Sequence, residues 1–104
     1  MNITKLQKII VDALEDIKGR DIEVINTSKL TPLFERIVIA CGDSNRQVRS
    51  LAGNVQDKVR EAGGQVLSTE GEESGEWVLV DLGDIVVHVM QPAIRSYYLS
   101  LIHI

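Results

Sequence analysis

Residues 75–90, GEWVLVDLGDIVVHVM, constrain the fold more than any other stretch of the chain. A dense β-branched run broken at Leu82-Gly83 reads as two short strands folded back on each other. With a two-residue turn at Leu82-Gly83, Asp81 stands opposite Asp84, Leu79 opposite Val86 and Trp77 opposite His88. Alternation along each strand then sorts the side chains into two sets. Val78, Val80, Ile85, Val87 and Val89 form a face with no polar side-chain atom. Trp77, Leu79, Asp81, Asp84, Val86, His88 and Met90 form the other. A four-residue loop preserves this sorting, whereas a three-residue loop exchanges the faces of one strand. The first face belongs to a core. The mixed face admits two readings. It lies under a helix, with the Asp pair solvated at the turn, or it is an open platform for a partner, since Trp and Met are favoured at binding surfaces.

The rest of the chain supplies what covers the apolar face. Ile3, Leu6, Ile10, Ala13, Leu14 and Ile17 recur at helical spacing over residues 3–18, with Thr4-Lys5-Leu6-Gln7 as a capping box and Gly19 as the stop. Strands follow at 21–26 and 33–41, joined by the turn-rich TSKLTP. Ser44-Asn45-Arg46-Gln47 forms a second capping box. It opens a helix with Val48, Leu51, Ala52, Val55, Val59 and Ala62 on one stripe, ended by Gly63-Gly64. QVLST is a third strand, EGEESGE an acidic loop, and Pro92 starts a short helix containing Ile94, Tyr97, Tyr98 and Leu101. The order α-β-β-α-β-β-β-α predicts an α/β (α+β) fold, a mixed sheet of about five strands with helices packed against it. The strand–helix–strand unit around 37–69 calls for a parallel crossover, and the last two strands make a hairpin at the edge or end of the sheet. No repeat, low-complexity tract or linker divides residues 1–104, so a single domain is expected.

Charge and composition narrow the functional classes. A chain of 104 residues buries about 65% of its unfolded surface, enough for a core, and with 4% aromatic residues that core is aliphatic. No apolar run approaches the ~20 residues of a membrane span, and MNITKLQKII lacks the layout of a secretory signal. One cysteine, Cys41, excludes an internal disulfide and fits a reducing compartment, so a cytoplasmic location is expected. The net charge of −4 argues against direct sequence-specific nucleic-acid binding and for a basic protein partner.

Candidate chemistry is sparse. His88, Asp84 and Asp81 do not share a metal, because at ~3.3 Å rise per residue His88 and Asp84 lie too far apart along one strand. Cys41 with His88 imitates a nucleophile–base pair without any local signature, and a small buried thiol is the better reading. His103, close to the C-terminus, is expected to be disordered. CGDSNRQVR is more suggestive: a strand, a Gly-x-Ser turn and a helix N-terminus resemble the opening of nucleotidyltransferases, which hold a phosphate or sugar there. Those enzymes also need two carboxylates two positions apart on the next strand for magnesium, and QVLST has none. No catalytic residue, metal or cofactor is therefore assigned. Arg46 and Arg49, in the first turns of the second helix, are candidate contacts for an anion or RNA.

Taken together, GDSNRQVRSLAGNV, EAGG, EGEESGEWVLVDLGDIVVHVM and IRSYY resemble the ribosomal silencing factor family (RsfS, or Iojap) over nearly the whole chain. The resemblance implies a nucleotidyltransferase-like fold without transferase activity. It also implies binding to the large ribosomal subunit through ribosomal protein fourteen, which blocks joining of the small subunit and represses translation when nutrients are scarce. It raises the mixed face, with Trp77, Leu79, Asp81, Asp84, Val86, His88 and Met90, to the expected partner-binding site. Two departures stand out. The family usually reads Thr-Gly-Thr-Ser where this chain has Cys41-Gly42-Asp43-Ser44, and it commonly continues with an acidic Leu-Trp tail where this chain reads LSLIHI. The competing readings are a small nucleotide-binding or nucleotidyltransferase-type enzyme using the Gly42–Ser44 turn, and a domain that pairs two copies through its apolar hairpin face. A homodimer formed off the ribosome through the docking surface would exclude ribosome binding.

Overall fold

The computed structural model describes residues 1–102, with side chains through residue 97; His103 lies outside the described residues. The elements run α1 (Ile3–Asp16), β1 (Arg20–Asn26), β2 (Arg36–Cys41), α2 (Asn45–Glu61), β3 (Ser68–Glu70), β4 (Trp77–Asp81), β5 (Ile85–Met90) and α3 (Pro92–Ile102), in the expected order. The five strands form one mixed sheet in the order β1-β2-β5-β4-β3.

Both long helices start on a side-chain cap, though not always the expected one. Asn2, in extended backbone, accepts from the Lys5 N–H at 2.8 Å, so α1 begins before Thr4 and the predicted Thr4 box is not used. At α2 the Ser44 hydroxyl accepts from the Gln47 N–H at 3.1 Å, as expected. Gln47 does not reciprocate to Ser44: its Oε1 accepts from the Asp43 N–H at 2.7 Å, and its Nε2 donates to the Ile17 and Lys18 carbonyls at 3.3 Å. The cap thus also ties α2 to the end of α1. The stripe of α2 is buried through Val59, whereas Ala62 is the exposed C-cap.

The strand–helix–strand unit through α2 is a parallel crossover, as expected, since β3 runs parallel to β2 through β4 and β5. The strand after α2 does not lie beside β2. β3 goes to the far edge, and β5 enters between them, parallel to β2 and antiparallel to β4. The hairpin therefore sits in the middle of the sheet rather than at its edge. Residue chemistry explains the order. Every residue of β5 is buried, which suits a strand covered on both faces, while the polar Ser68-Thr69-Glu70 can end a sheet. Leu33, Phe34 and Glu35 remain in the β1–β2 loop, so the second strand is shorter than its apolar run suggests.

Within the hairpin, Trp77 pairs with Met90, Leu79 with His88 and Asp81 with Val86. The Leu82 N–H donates to the Ile85 carbonyl at 3.0 Å, which places the turn at Gly83-Asp84, one residue later than predicted. Gly83 has φ +91°, a conformation that glycine supplies at the first turn position. The pairing moves by two residues, so the sorting of faces stands. Val78, Val80, Ile85, Val87 and Val89 are fully buried with Val38 and Ala40 under α1 and α2. The chain's own helices occupy the surface through which two copies were to pair. On the opposite face a smaller cluster of Ile37, Ile39 and Met90 packs against Ile25, Phe34, Trp77 and Ile94. Ile94 belongs to the first turn of α3, and its neighbour Arg95 holds that turn to β1, bonding the Glu23 carboxylate at 3.0 Å and the Asp21 carbonyl.

Candidate functional site

The opposite face is only partly covered, and its register assembles a surface across all five strands. Glu23, Ile39, His88, Leu79 and Glu70 stand side by side in one row from β1 to β3. Ser68, Asp81, Val86, Ile37 and Ile25 form a second row on the same face. Against these rows lies a groove of about 550 Å³, walled by Leu33, Phe34, Ile37, Leu79, Val86 and His88. A second hollow of about 300 Å³ adjoins it across Leu79, bounded by Glu70, Gly71 and Trp77.

Trp77 and His88 are one unit. The indole N–H donates to the imidazole Nδ1 at 2.9 Å, with ring centroids 5.9 Å apart. Nδ1 accepts, so the imidazole is neutral in this contact. Burial pushes the His88 pKa down to about 4, because a charged ring here would be desolvated. The pair spans a diagonal, since Leu79 is the residue directly opposite His88. It orients the half-buried indole, which also packs against the Ile37, Ile39 and Met90 cluster.

The other residues expected on the docking face divide by burial. Leu79 is half-buried and divides the two hollows. Val86 presents 7% of its surface on the groove wall. Asp81 is half-buried, and one of its carboxylate oxygens accepts from the Gly83 N–H at 2.9 Å, bracing the turn while the side chain lines the groove. Asp84 is exposed, and its carbonyl accepts from the Glu35 and Arg36 N–H groups. Met90 is wholly buried. The expectation that Met90 belongs to the partner-binding surface is therefore corrected: it supports the face from beneath, because the central strand is covered on both sides there.

Elsewhere the candidate sites separate. Arg46 and Arg49 are exposed on α2, in the layer on the other side of the sheet, and Arg49 donates to the Glu73 carbonyl at 3.4 Å. In the Gly42–Ser44 turn, Ser44 caps α2 and Asp43 pairs with Arg20. β3 extends one residue past the predicted strand and so carries one acid, Glu70, whose register puts it on the groove face, away from α2. No second carboxylate stands with it on β3. Cys41 is buried, with its sulfur 3.5 Å from Arg95, whereas His88 bonds Trp77. No three His, Cys, Asp or Glu groups are placed to hold a metal among the described residues.

The β1–β2 loop was not singled out from sequence. Leu33 is 80% exposed at the groove rim, Leu30 is 77% exposed nearby in the same loop, and Phe34 reaches inward. The signal was present in Leu30, an exposed leucine within the turn-rich TSKLTP, whereas Leu33 and Phe34 were read as the start of the second strand.

Comparison with known proteins agrees with this architecture. The family model described as "Ribosomal silencing factor during starvation" matches residues 1–99. A curated ribosomal silencing factor RsfS of Chromobacterium violaceum is 60% identical over 98 residues, covering 94% of this chain and 80% of that protein. A crystal structure of a protein from the same organism superposes with a TM-score of 0.92 at 60% identity, covering 94% of this chain and 82% of that one. The mouse protein named "Mitochondrial assembly of ribosomal large subunit protein 1" is 26% identical over 93 residues, with 86% of this chain and 41% of that protein covered. With a family model spanning almost all of its length and close relatives bearing one name, this chain belongs to the ribosomal silencing factor family, RsfS.

Proposed function

We propose that this protein binds the large ribosomal subunit by laying its uncovered sheet face on ribosomal protein fourteen. By occupying that place it blocks joining of the small subunit and represses translation under nutrient limitation. It acts in the cytoplasm, as one unit over residues 1–104, and by binding rather than catalysis. The observation that carries this reading is the groove itself. Its walls are aliphatic and aromatic, and its rim holds Asp81, with Glu35 and Asp84 exposed beside it and Glu70 at the far strand. An apolar centre with an acidic border suits a basic protein surface bearing apolar anchors. The name of the mouse relative, a mitochondrial large-subunit assembly protein, supports the choice of subunit. The absence of a second carboxylate beside Glu70 on β3, together with the use of Ser44 and Asp43 within the fold, favours this reading over nucleotidyl transfer. Off the ribosome, a second copy competes for the same groove.

Sedimentation with purified large subunits tests the proposal. The protein should co-sediment with them and keep added small subunits from joining. Co-sedimentation that leaves joining unimpaired would remove the silencing mechanism. Micromolar, magnesium-dependent ATP or GTP binding abolished by Asp43→Ala would restore the enzyme reading.

A further inference from the structure

We propose that the hollow between Glu70 and Trp77 receives an arginine side chain of the docking partner. The inference rests on the reading that this face meets ribosomal protein fourteen, and it names the chemistry of one contact within it.

The row across the sheet ends in a carboxylate on each side: Glu23 on β1 and Glu70 on β3, with Ile39, His88 and Leu79 between them. The two ends are treated differently. Glu23 is matched within the chain by Arg95, whose guanidinium lies 3.0 Å away on a side chain only 11% exposed. Glu70 has no ion pair among the described residues. Its hollow is bounded by the Trp77 ring, the Leu79 side chain and Gly71, and none of these is a cation. A carboxylate beside an indole over an aliphatic floor is what a guanidinium requires. The plane stacks on the ring, the N–H fork reaches the carboxylate, and the methylene stem covers Leu79. A lysine ammonium is more strongly hydrated and gains less from such a wall.

The walls are set before any partner arrives. His88 holds the indole N–H at 2.9 Å. Gly71 has φ +86°, and a Cβ there would collide with the Trp77 carbonyl oxygen, so the loop closes against β4 only as glycine. β3 pairs Glu70 directly with Leu79. Preorganisation of this kind lowers the ordering cost of binding.

The test compares full-length variants for binding to large subunits and to isolated ribosomal protein fourteen. Glu70→Lys should weaken both by about tenfold or more, and Glu70→Gln by a few-fold. Glu72→Lys makes the same charge change in the exposed loop outside the hollow, and should stay within about twofold of the parent. Glu70 is exposed, so circular dichroism of these variants should match the parent. Replacing the partner's arginines singly by alanine should reveal one whose loss is not additive with Glu70→Gln. Equal effects of Glu70→Lys and Glu72→Lys, parent-like binding by Glu70→Lys, or no coupled arginine would each overturn the inference. A parent protein that fails to bind ribosomal protein fourteen would instead sink the docking reading.

Discussion

The Trp77–His88 contact concentrates the consequences of single substitutions. Unfolded, the imidazole takes its proton near 6.5; folded, burial delays this to about 4. Between those values the unfolded chain holds more protons, so stability is full above ~6.5, falls as pH drops toward ~4 and levels off below. That window corresponds to about 3 kcal/mol at most. Denaturant unfolding at pH 7 and pH 4.5 should show the parent losing more stability than His88→Gln, which does not titrate. A parallel loss in the two proteins would mean that carboxylates carry the dependence. Trp77→Ala strips the N–H from a buried Nδ1 and is expected to cost about 1–3 kcal/mol of stability as well as binding, so it is not a clean probe of docking. Leu79→Ala is cleaner. It should weaken large-subunit binding while shifting the unfolding midpoint little, because Leu79 is only half-buried. Val87→Ala, in the closed core, should do the reverse and cost about 2 kcal/mol.

Caps and glycines decide the behaviour of whole elements. Ser44→Ala should cost about 1 kcal/mol, since it leaves the Gln47 N–H without its acceptor. An unchanged denaturation midpoint would show that Gln47, bonded to Asp43, Ile17 and Lys18, holds the helix start unaided. Gly53 sits in the middle of α2, and a Cβ there would meet nothing within 4 Å. Gly53→Ala should therefore stabilise by about 0.5–1 kcal/mol through helix propensity, raising the melting temperature. Gly71→Ala should lower it, because both the positive φ and the Trp77 carbonyl oppose a side chain. At this scale periodicity was a dependable guide to α1 and α2. The hairpin turn was less legible, because Gly83 can serve a turn at Leu82-Gly83 or at Gly83-Asp84. Backbone bonding to Ile85 selects the second.

The molecule as a whole has two unlike sides, with α1 and α2 closing one face of the sheet and the groove opening on the other. Its net charge of −4 adds a long-range attraction to a basic partner. Association with large subunits should thus slow as salt rises from ~50 to ~300 mM, where the Debye length falls from roughly 14 to 6 Å. Stopped-flow rates that do not change over that range would exclude charge steering. With the proposed docking, the dissociation rate should respond less, since it would depend on contacts desolvated in the groove.

Much of this was written into the order of residues. Alternation in residues 77–90 assigned every hairpin side chain to its face, and that assignment survived a two-residue shift in pairing because a strand's side-chain period is two. The acid pair required for nucleotidyl transfer is missing from QVLST after the second helix, which by sequence alone argues against that route of catalysis. Other features required the tertiary structure. The placement of β5 between β2 and β4 buries Met90, although alternation puts it on the partner-binding face. The same placement carries the β1–β2 loop to the groove, so that Leu33 and Phe34 share its wall with Val86, which comes more than fifty positions later in the chain. Periodicity reports which way a side chain points from its own strand; what stands opposite it depends on strand order, which distant segments settle only as they pack.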